Sequence, residues 1–258
     1  MPSERQHRRE IVRFGEALHQ RGYVAAMDGN LSVRLDERYI LATPTSMCKG
    51  MMKPSDLVIV DMEGRHVSGR RDVSSEIAMH LLIYQLRPEV RGVVHAHPPT
   101  ATGFAAAGLA LNQPLVCEVV IGLGSIPLAK YGTPGTPELT SGLEPLIPQY
   151  DAILMSNHGV VAYGVDLHSA YMKMETVEHF AQIALVTHLL GRQQPLGGVE
   201  LEKLMAARSK YQGATSSAPL PLAVPCDGDG DYEHSPPREK SSAPVGGRPP
   251  RRVSSRHR

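Results

Sequence analysis

An α/β fold is what this sequence predicts, and three observations carry the prediction. Segments of helical and strand periodicity alternate from the N-terminus to about residue 212. With 258 residues, 41% of them hydrophobic, the chain has enough apolar material for one sizeable core. The pattern then stops: from Gly213 onward the sequence holds eight of the 21 prolines and little periodic apolar spacing. Residues 1–212 are therefore expected to form the folded domain, and residues 213–258 a disordered Pro/Ser/Arg-rich tail.

The elements follow in order. Ser3 with Gln6 fits a capping box, and Ile11, Phe14 and Leu18 recur on one face, so the chain opens with a helix of about four turns. Strand patterns follow at Leu31–Leu35, Tyr39–Thr43 and Leu57–Asp61, with a turn at Met62–Arg65. "SSEIAMHLLIYQL", Ser74 to Leu86, reads as a helix whose apolar face includes Ile77, Leu81 and Tyr84. "VRGVVHAHPPTATGFA", residues 91–106, reads as a buried strand running into a helix of small residues. Short strands are expected at Leu115–Ile121 and Ile126–Leu128. "YDAILMSNHGVVAYG" reads as strand, tight break at His158-Gly159, and strand, and a long helix from Leu167 to Leu190 ends at Gly191.

Composition excludes several function classes. A formal net charge of +1 gives no global attraction to nucleic acid or an anionic membrane. The opening "MPSERQHRRE" has no apolar h-region, and no run approaches the roughly 18 apolar residues of a membrane span, so a cytoplasmic protein is expected. Cys48, Cys117 and Cys226 lie far apart and in no CxxC pattern, which argues against a disulfide framework and a thiolate zinc site. "DGDGD" at 227–231 fails as a calcium loop, because Tyr232 and Arg238 stand where glycine and glutamate are required.

The histidines carry the chemistry. Among twelve, His7, His19, His66, His168, His179, His188, His234 and His257 sit among polar neighbours or on helices and need no functional account. His95 and His97 differ, because on a strand they point the same way as Val93, and two buried imidazoles cost free energy unless something pairs with them. A divalent metal is such a partner. His158, at a strand end before a glycine, is the candidate third ligand; three neutral imidazoles suit zinc and leave one coordination position open.

The motifs "DGNLSVR", "TPTS", "SSE", "HAHP" and "SNHG", in that order and spacing over about residues 5–210, resemble the class II aldolase/adducin family, whose best-known enzyme cleaves L-fuculose 1-phosphate. The resemblance implies a three-layer α/β fold, a central, mostly antiparallel sheet flanked by helices, assembled as a homotetramer with active sites between subunits. It implies that His95, His97 and His158 hold one divalent metal, Zn2+ or else Mn2+ or Co2+. Glu76 is implied as the proton-transfer residue and a further metal contact when substrate is absent. Gly29, Asn30, Thr45, Ser46, Ser74 and Ser75 match the pocket for the substrate phosphate. The phosphate donors are then hydroxyls and backbone N–H groups.

Two positions depart from the fuculose-phosphate aldolase pattern. Met27 replaces a hydroxyl residue near the phosphate loop, and Glu118 stands where that enzyme uses a tyrosine for the proton on the aldehyde fragment. The expected activity is a metal-dependent aldolase (aldehyde-lyase) that cleaves a sugar or deoxysugar 1-phosphate to dihydroxyacetone phosphate and an aldehyde, with Glu76 and Glu118 as catalytic groups. The alternatives are a decarboxylase of 3-oxo-tetronate 4-phosphates and a dehydratase of methylthioribulose 1-phosphate. A pentulose-phosphate 4-epimerase fits less well, because it carries aspartate at the place of Glu76. A non-enzymatic adducin-like scaffold is the alternative from another class.

Overall fold

The computed structural model describes residues 2–211, with side chains through residue 207; the expected tail at 213–258 lies outside the described residues. Helix α1, Glu4–Gln20, begins at Ser3 through the expected capping box: Gln6 N–H donates to Ser3 Oγ (3.4 Å), and Ser3 N–H donates to Gln6 Oε1 (2.6 Å). Ile11, Phe14 and Leu18 are its buried face.

Eight strands form one sheet: β1 (Asn30–Arg34), β2 (Tyr39–Ala42), β3 (Val58–Asp61), β4 (His66–Ser68), β5 (Gly92–Ala96), β6 (Leu128–Ala129), β7 (Ala152–Met155) and β8 (Gly159–Gly164). Their order is β4-β3-β2-β1-β5-β8-β7-β6, and every neighbouring pair is antiparallel except β6 with β7. The helices are α2 (Ile77–Leu86), α3 (Pro99–Ala106), α4 (Cys117–Gly122), α5 (Pro137–Leu143), α6 (Leu167–Leu189) and α7 (Gly198–Tyr211).

Side-chain alternation on the central strands builds two cores. Leu31, Val33, Val94, Ala96, Val160 and Ala162 face α1, α3 and α6. Val93, Val161 and Tyr163 face the other way, against Met79, Ile83 and Tyr84 of α2 and Leu139 and Leu143 of α5. The result is the expected three-layer arrangement, with the middle strands β1, β5 and β8 buried on both faces.

Several local expectations needed correction. Leu115–Ile121 was expected as a strand, but its core is helix α4, closed by Val120 N–H to Val116 C=O (3.1 Å) and Leu123 N–H to Val119 C=O (2.8 Å). A short β-branched run is ambiguous by periodicity, and packing of α4 against α7 decides for helix. The strand expected at Ile126–Leu128 starts two residues late, at Leu128, with Ile126 held by a bridge to Leu111. The helix expected from Ser74 starts at Ile77, which leaves Ser74 and Ser75 in a turn. The edge strand β4 and the helix α7 had no counterpart in the sequence reading.

A buried ionic cluster ties the second core together. Arg87, at the end of α2, donates from Nη2 to Asp151 Oδ1 (2.9 Å) and from Nη1 to Ile147 C=O (3.0 Å), while Lys173 Nζ of α6 donates to Asp151 Oδ2 (2.7 Å). Asp151→Ala leaves Lys173 without its carboxylate and Arg87 with Glu89 as its remaining partner, in a mostly water-excluded place, so a loss of up to about 3–5 kcal/mol is expected in denaturant unfolding.

Candidate active site

The site lies where β1 begins and β5 ends, on the α2 side of the sheet. Register places Asn30, the first residue of β1, directly opposite His95 of β5, so the two side chains share a face. His95 is fully buried, and its Nδ1–H donates to Val160 C=O (2.9 Å), which leaves the lone pair of Nε2 directed into the site. His97 follows the strand end and is anchored by its own N–H to Tyr23 C=O (2.8 Å). His158 sits in the three-residue turn between β7 and β8, after Asn157 in a left-handed conformation (φ 56°).

The three imidazole rings meet, with centroids 4.8–5.1 Å apart and ligand atoms within 4.8 Å of one another. Burial, then the neighbouring His95 and His158, push His97 down to about 4, so its ring is neutral at physiological pH. His95 Nε2 and His97 Nε2 are 3.1 Å apart. Two imidazole nitrogens bound to one tetrahedral zinc, each at about 2.0–2.1 Å, would stand roughly 3.3 Å from each other. The donors thus fit a metal. Asp28 Oδ2, 3.5 Å from His97 Nδ1, is a carboxylate placed to orient that ring.

Glu76 stands at the head of α2, between two of the imidazoles. Its Oε2 is 3.2 Å from His95 Nε2 and its Oε1 is 3.2 Å from His158 Nε2. Burial opposes its charge, but His95 and His158 outweigh burial and hold the carboxyl well below the usual carboxylate range. Oε1 is buried with no well-directed hydrogen bond beyond the contact with His158, and such an acceptor beside imidazole nitrogens is what a cation or a substrate hydroxyl would satisfy. Oε2 accepts from Asn30 Nδ2 (2.8 Å).

The residues expected around the substrate phosphate come together on adjoining loops. A bridge between Pro44 and Val73 aligns the Thr45–Ser46 loop with Ser74–Ser75, secured by Thr45 N–H to Asp72 C=O (3.0 Å) and Ser74 N–H to Thr43 C=O (3.3 Å). Ser74 Oγ accepts from Glu76 N–H (3.3 Å). Gly29 has φ +70°, and a Cβ there would lie 2.7 Å from His95 C=O, so only glycine lets this loop meet the strand. Buried Lys49 donates to Met27 C=O (2.9 Å) and Met47 C=O (2.7 Å), clamping the two loops together. Burial lowers its pKa to about 8.

Two expected residues find other surroundings. Both ends of the Asn30 side chain are engaged, by Glu76 and by His80, so an anion would meet its remaining N–H groups. Glu118 is exposed in the first turn of α4, on a cleft lined by Arg21, Tyr23, Glu175 and His179, and is not among the groups around the triad. The sequence reading missed His80, whose signal was its place four residues after Glu76, on the same face of α2.

The family described as Class II Aldolase and Adducin N-terminal domain matches residues 9–185. The chain belongs to the class II aldolase and adducin family. Within it, the 3-oxo-tetronate 4-phosphate decarboxylase of Pectobacterium atrosepticum is 35% identical over 190 residues, 72% of this chain and 87% of that protein. The 5-deoxy-D-ribulose 1-phosphate aldolase of Bacillus thuringiensis serovar kurstaki is 31% identical over 208 residues, 80% and 95%. The crystal structure of YgbL from Escherichia coli superposes with a TM-score of 0.73 at 32% identity, covering 78% of this chain and 98% of that one. The two named relatives are enzymes that act on phosphorylated, sugar-like substrates. Among the described residues, no helix is long and apolar enough to cross a membrane.

Gly159 supplies a test of the triad. A Cβ at this position would lie 2.5 Å from the His97 ring and 2.6 Å from Ala96 C=O. Wild-type protein is expected to carry about one divalent metal per chain, and Gly159→Ala, like His95→Ala, His97→Ala or His158→Ala, to lower that content in elemental analysis. Full retention in all four variants would exclude the triad as the metal site.

Proposed function

We propose that this protein is a metal-dependent lyase that cleaves a ketose 1-phosphate by a retro-aldol reaction, releasing dihydroxyacetone phosphate and an aldehyde. The observation that carries this reading is the Glu76 carboxylate set 3.2 Å from both His95 Nε2 and His158 Nε2, beside a third imidazole. Zinc suits three neutral imidazoles with one position left open, and manganese or cobalt are substitutes. When bound, the cation would stabilise the negative charge that develops on the substrate oxygens as the C–C bond breaks.

The chain's own groups supply positioning and proton transfer. Gly29, Asn30, Thr45, Ser46, Ser74 and Ser75 are assigned to the substrate phosphate, through hydroxyls and backbone N–H groups on loops that Lys49 holds in place. In the cleavage direction one proton leaves the hydroxyl on the aldehyde side and one is delivered to the carbon left behind; Glu76 is assigned the delivery. Glu118 is assigned the proton on the aldehyde side, reaching it from a neighbouring subunit of a homotetramer. Exposed apolar residues on the last turns of α6, Leu185, Val186 and Leu189, support subunit contact there.

Decarboxylation of a 3-oxo acid phosphate is the second reading, favoured by the 35% identity to the Pectobacterium decarboxylase. It builds the same negative charge next to the carbonyl and needs one proton delivered to carbon, so the triad and Glu76 suit it equally. Products separate the two: dihydroxyacetone phosphate from 5-deoxyribulose 1-phosphate, or carbon dioxide from 3-oxo-tetronate 4-phosphate.

On whichever substrate turns over, Glu76→Gln is expected to lower kcat by roughly 10²–10⁴ with metal still bound. Glu118→Gln is expected to cost less, or to change which aldehyde is accepted. Near wild-type turnover of the Glu76 variant would remove that residue from the chemistry, and a dead Glu118 variant would move the proton transfer to Glu118.

A further inference from the structure

Behind Glu76 runs a chain of buried polar groups, of which Asn30 alone is assigned a contact with substrate. His80 is 1% exposed, and its two ring nitrogens contact Asn30 Oδ1 (Nε2, 2.5 Å) and Ser32 Oγ (Nδ1, 2.7 Å). Ser32 Oγ in turn lies 2.8 Å from the hydroxyl of Tyr84, which is also buried. These four residues come from β1 and α2, and apolar side chains could have filled the same space. Buried polar groups cost free energy unless fully paired, so a chain of them at one carboxylate needs a reason.

Chemistry sets a single direction for this chain. An ionised Glu76 only accepts, so the Asn30 amide must present its Nδ2–H groups to Oε2 and its carbonyl to His80. The Asn30 carbonyl only accepts, so His80 carries its proton on Nε2. A neutral ring protonated there has an acceptor at Nδ1, which takes the Ser32 O–H, and Ser32 Oγ then accepts from the Tyr84 O–H. Each of the four links in the sequence Tyr84, Ser32, His80, Asn30, Glu76 has one donor and one acceptor, and all run in one sense. At the end of it, Oε2 is capped by the Asn30 amide, while Oε1 faces only the His158 ring nitrogen, 3.2 Å away.

We infer that His80 is a positioning residue: through Asn30 it holds Glu76 Oε2 as a fixed acceptor, so that Oε1 is the oxygen that exchanges the proton with substrate. This rests on Glu76 being the proton-transfer group. The consequence is directional, because the amide of Asn30 is unable to turn its carbonyl toward Glu76 while His80 donates to it. Loss of the His80 donor frees the amide to rotate, and the carboxylate loses its orientation without losing any group that touches the metal or the substrate.

The test uses the full-length metal-loaded protein and two variants, His80→Leu and His80→Gln. Glutamine places an N–H near the position of imidazole Nε2, whereas leucine fills space alone. With 5-deoxyribulose 1-phosphate and 3-oxo-tetronate 4-phosphate as probes, His80→Leu is expected to lose roughly 10–100-fold in kcat. KM and metal content stay near wild type, and His80→Gln regains most of the loss. Unchanged kcat in His80→Leu, equal loss in both variants, or a loss that appears in KM or metal content would overturn the inference. Nitrogen-15 NMR of the wild-type ring gives a readout that needs no turnover: a neutral, Nε2-protonated His80 is expected, and an Nδ1-protonated ring would overturn the chain. If neither probe turns over in wild type, the proposed function is what fails, and the tautomer still decides the inference.

Discussion

The pairing of Asn30 with His95 across the two central strands is the constraint on which the site depends. Strand side chains alternate with a period of two, so a slip of one residue between β1 and β5 would send one of the pair into the opposite core. That slip would also place Leu31 or Val94 among the imidazoles. Register is protected on both sides, because Leu31, Val33, Val94 and Ala96 fill the core under α1, α3 and α6, while Val93 and Val161 fill the core under α2 and α5. The polar cluster is thus held in alignment by apolar packing on strands that have no solvent face.

The same sheet explains how residues from four distant segments converge. β1 brings Asn30, β5 brings His95 and His97, the β7–β8 turn brings His158, and α2 crosses that face to bring Glu76 and His80. The helix start is part of this. Because α2 begins at Ile77 rather than at Ser74, Ser74 and Ser75 stay in a turn against the Thr45–Ser46 loop, and Glu76 sits at the head of the helix instead of inside it. The backbone N–H of Glu76 is taken by Ser74 Oγ, and its side chain is free to reach the imidazoles.

Much of the site was legible before the fold was known. The spacing of His95 and His97 on one strand, the glycine after His158 and the "SSE" turn each carried chemistry that a purely structural segment would not need. Asp28 and His80 were harder to read: apart from the place of His80 on the Glu76 face of α2, each looks ordinary in its own segment and gains its partners only 48 or more residues away in the chain, His97 for Asp28, Asn30 and Ser32 for His80. The surroundings of Glu118 were likewise set by the fold. Its position beside "QPLVC" placed it near the chemistry, but α4 turns it to an exposed cleft.

Local pattern by itself determined the class of fold, the long helices, the central strands and the three histidines that could hold a metal, because apolar periodicity and rare buried polar residues are properties of short segments. Only the tertiary structure decided that Leu115–Ile121 is largely helix, that α7 exists against it, and that Oε1 rather than Oε2 of Glu76 is left open. The physical reason is common to all three. A short β-branched run, a weakly amphipathic C-terminal segment and the two oxygens of one carboxylate are each nearly degenerate in isolation, and contacts across long separations in sequence break the degeneracy.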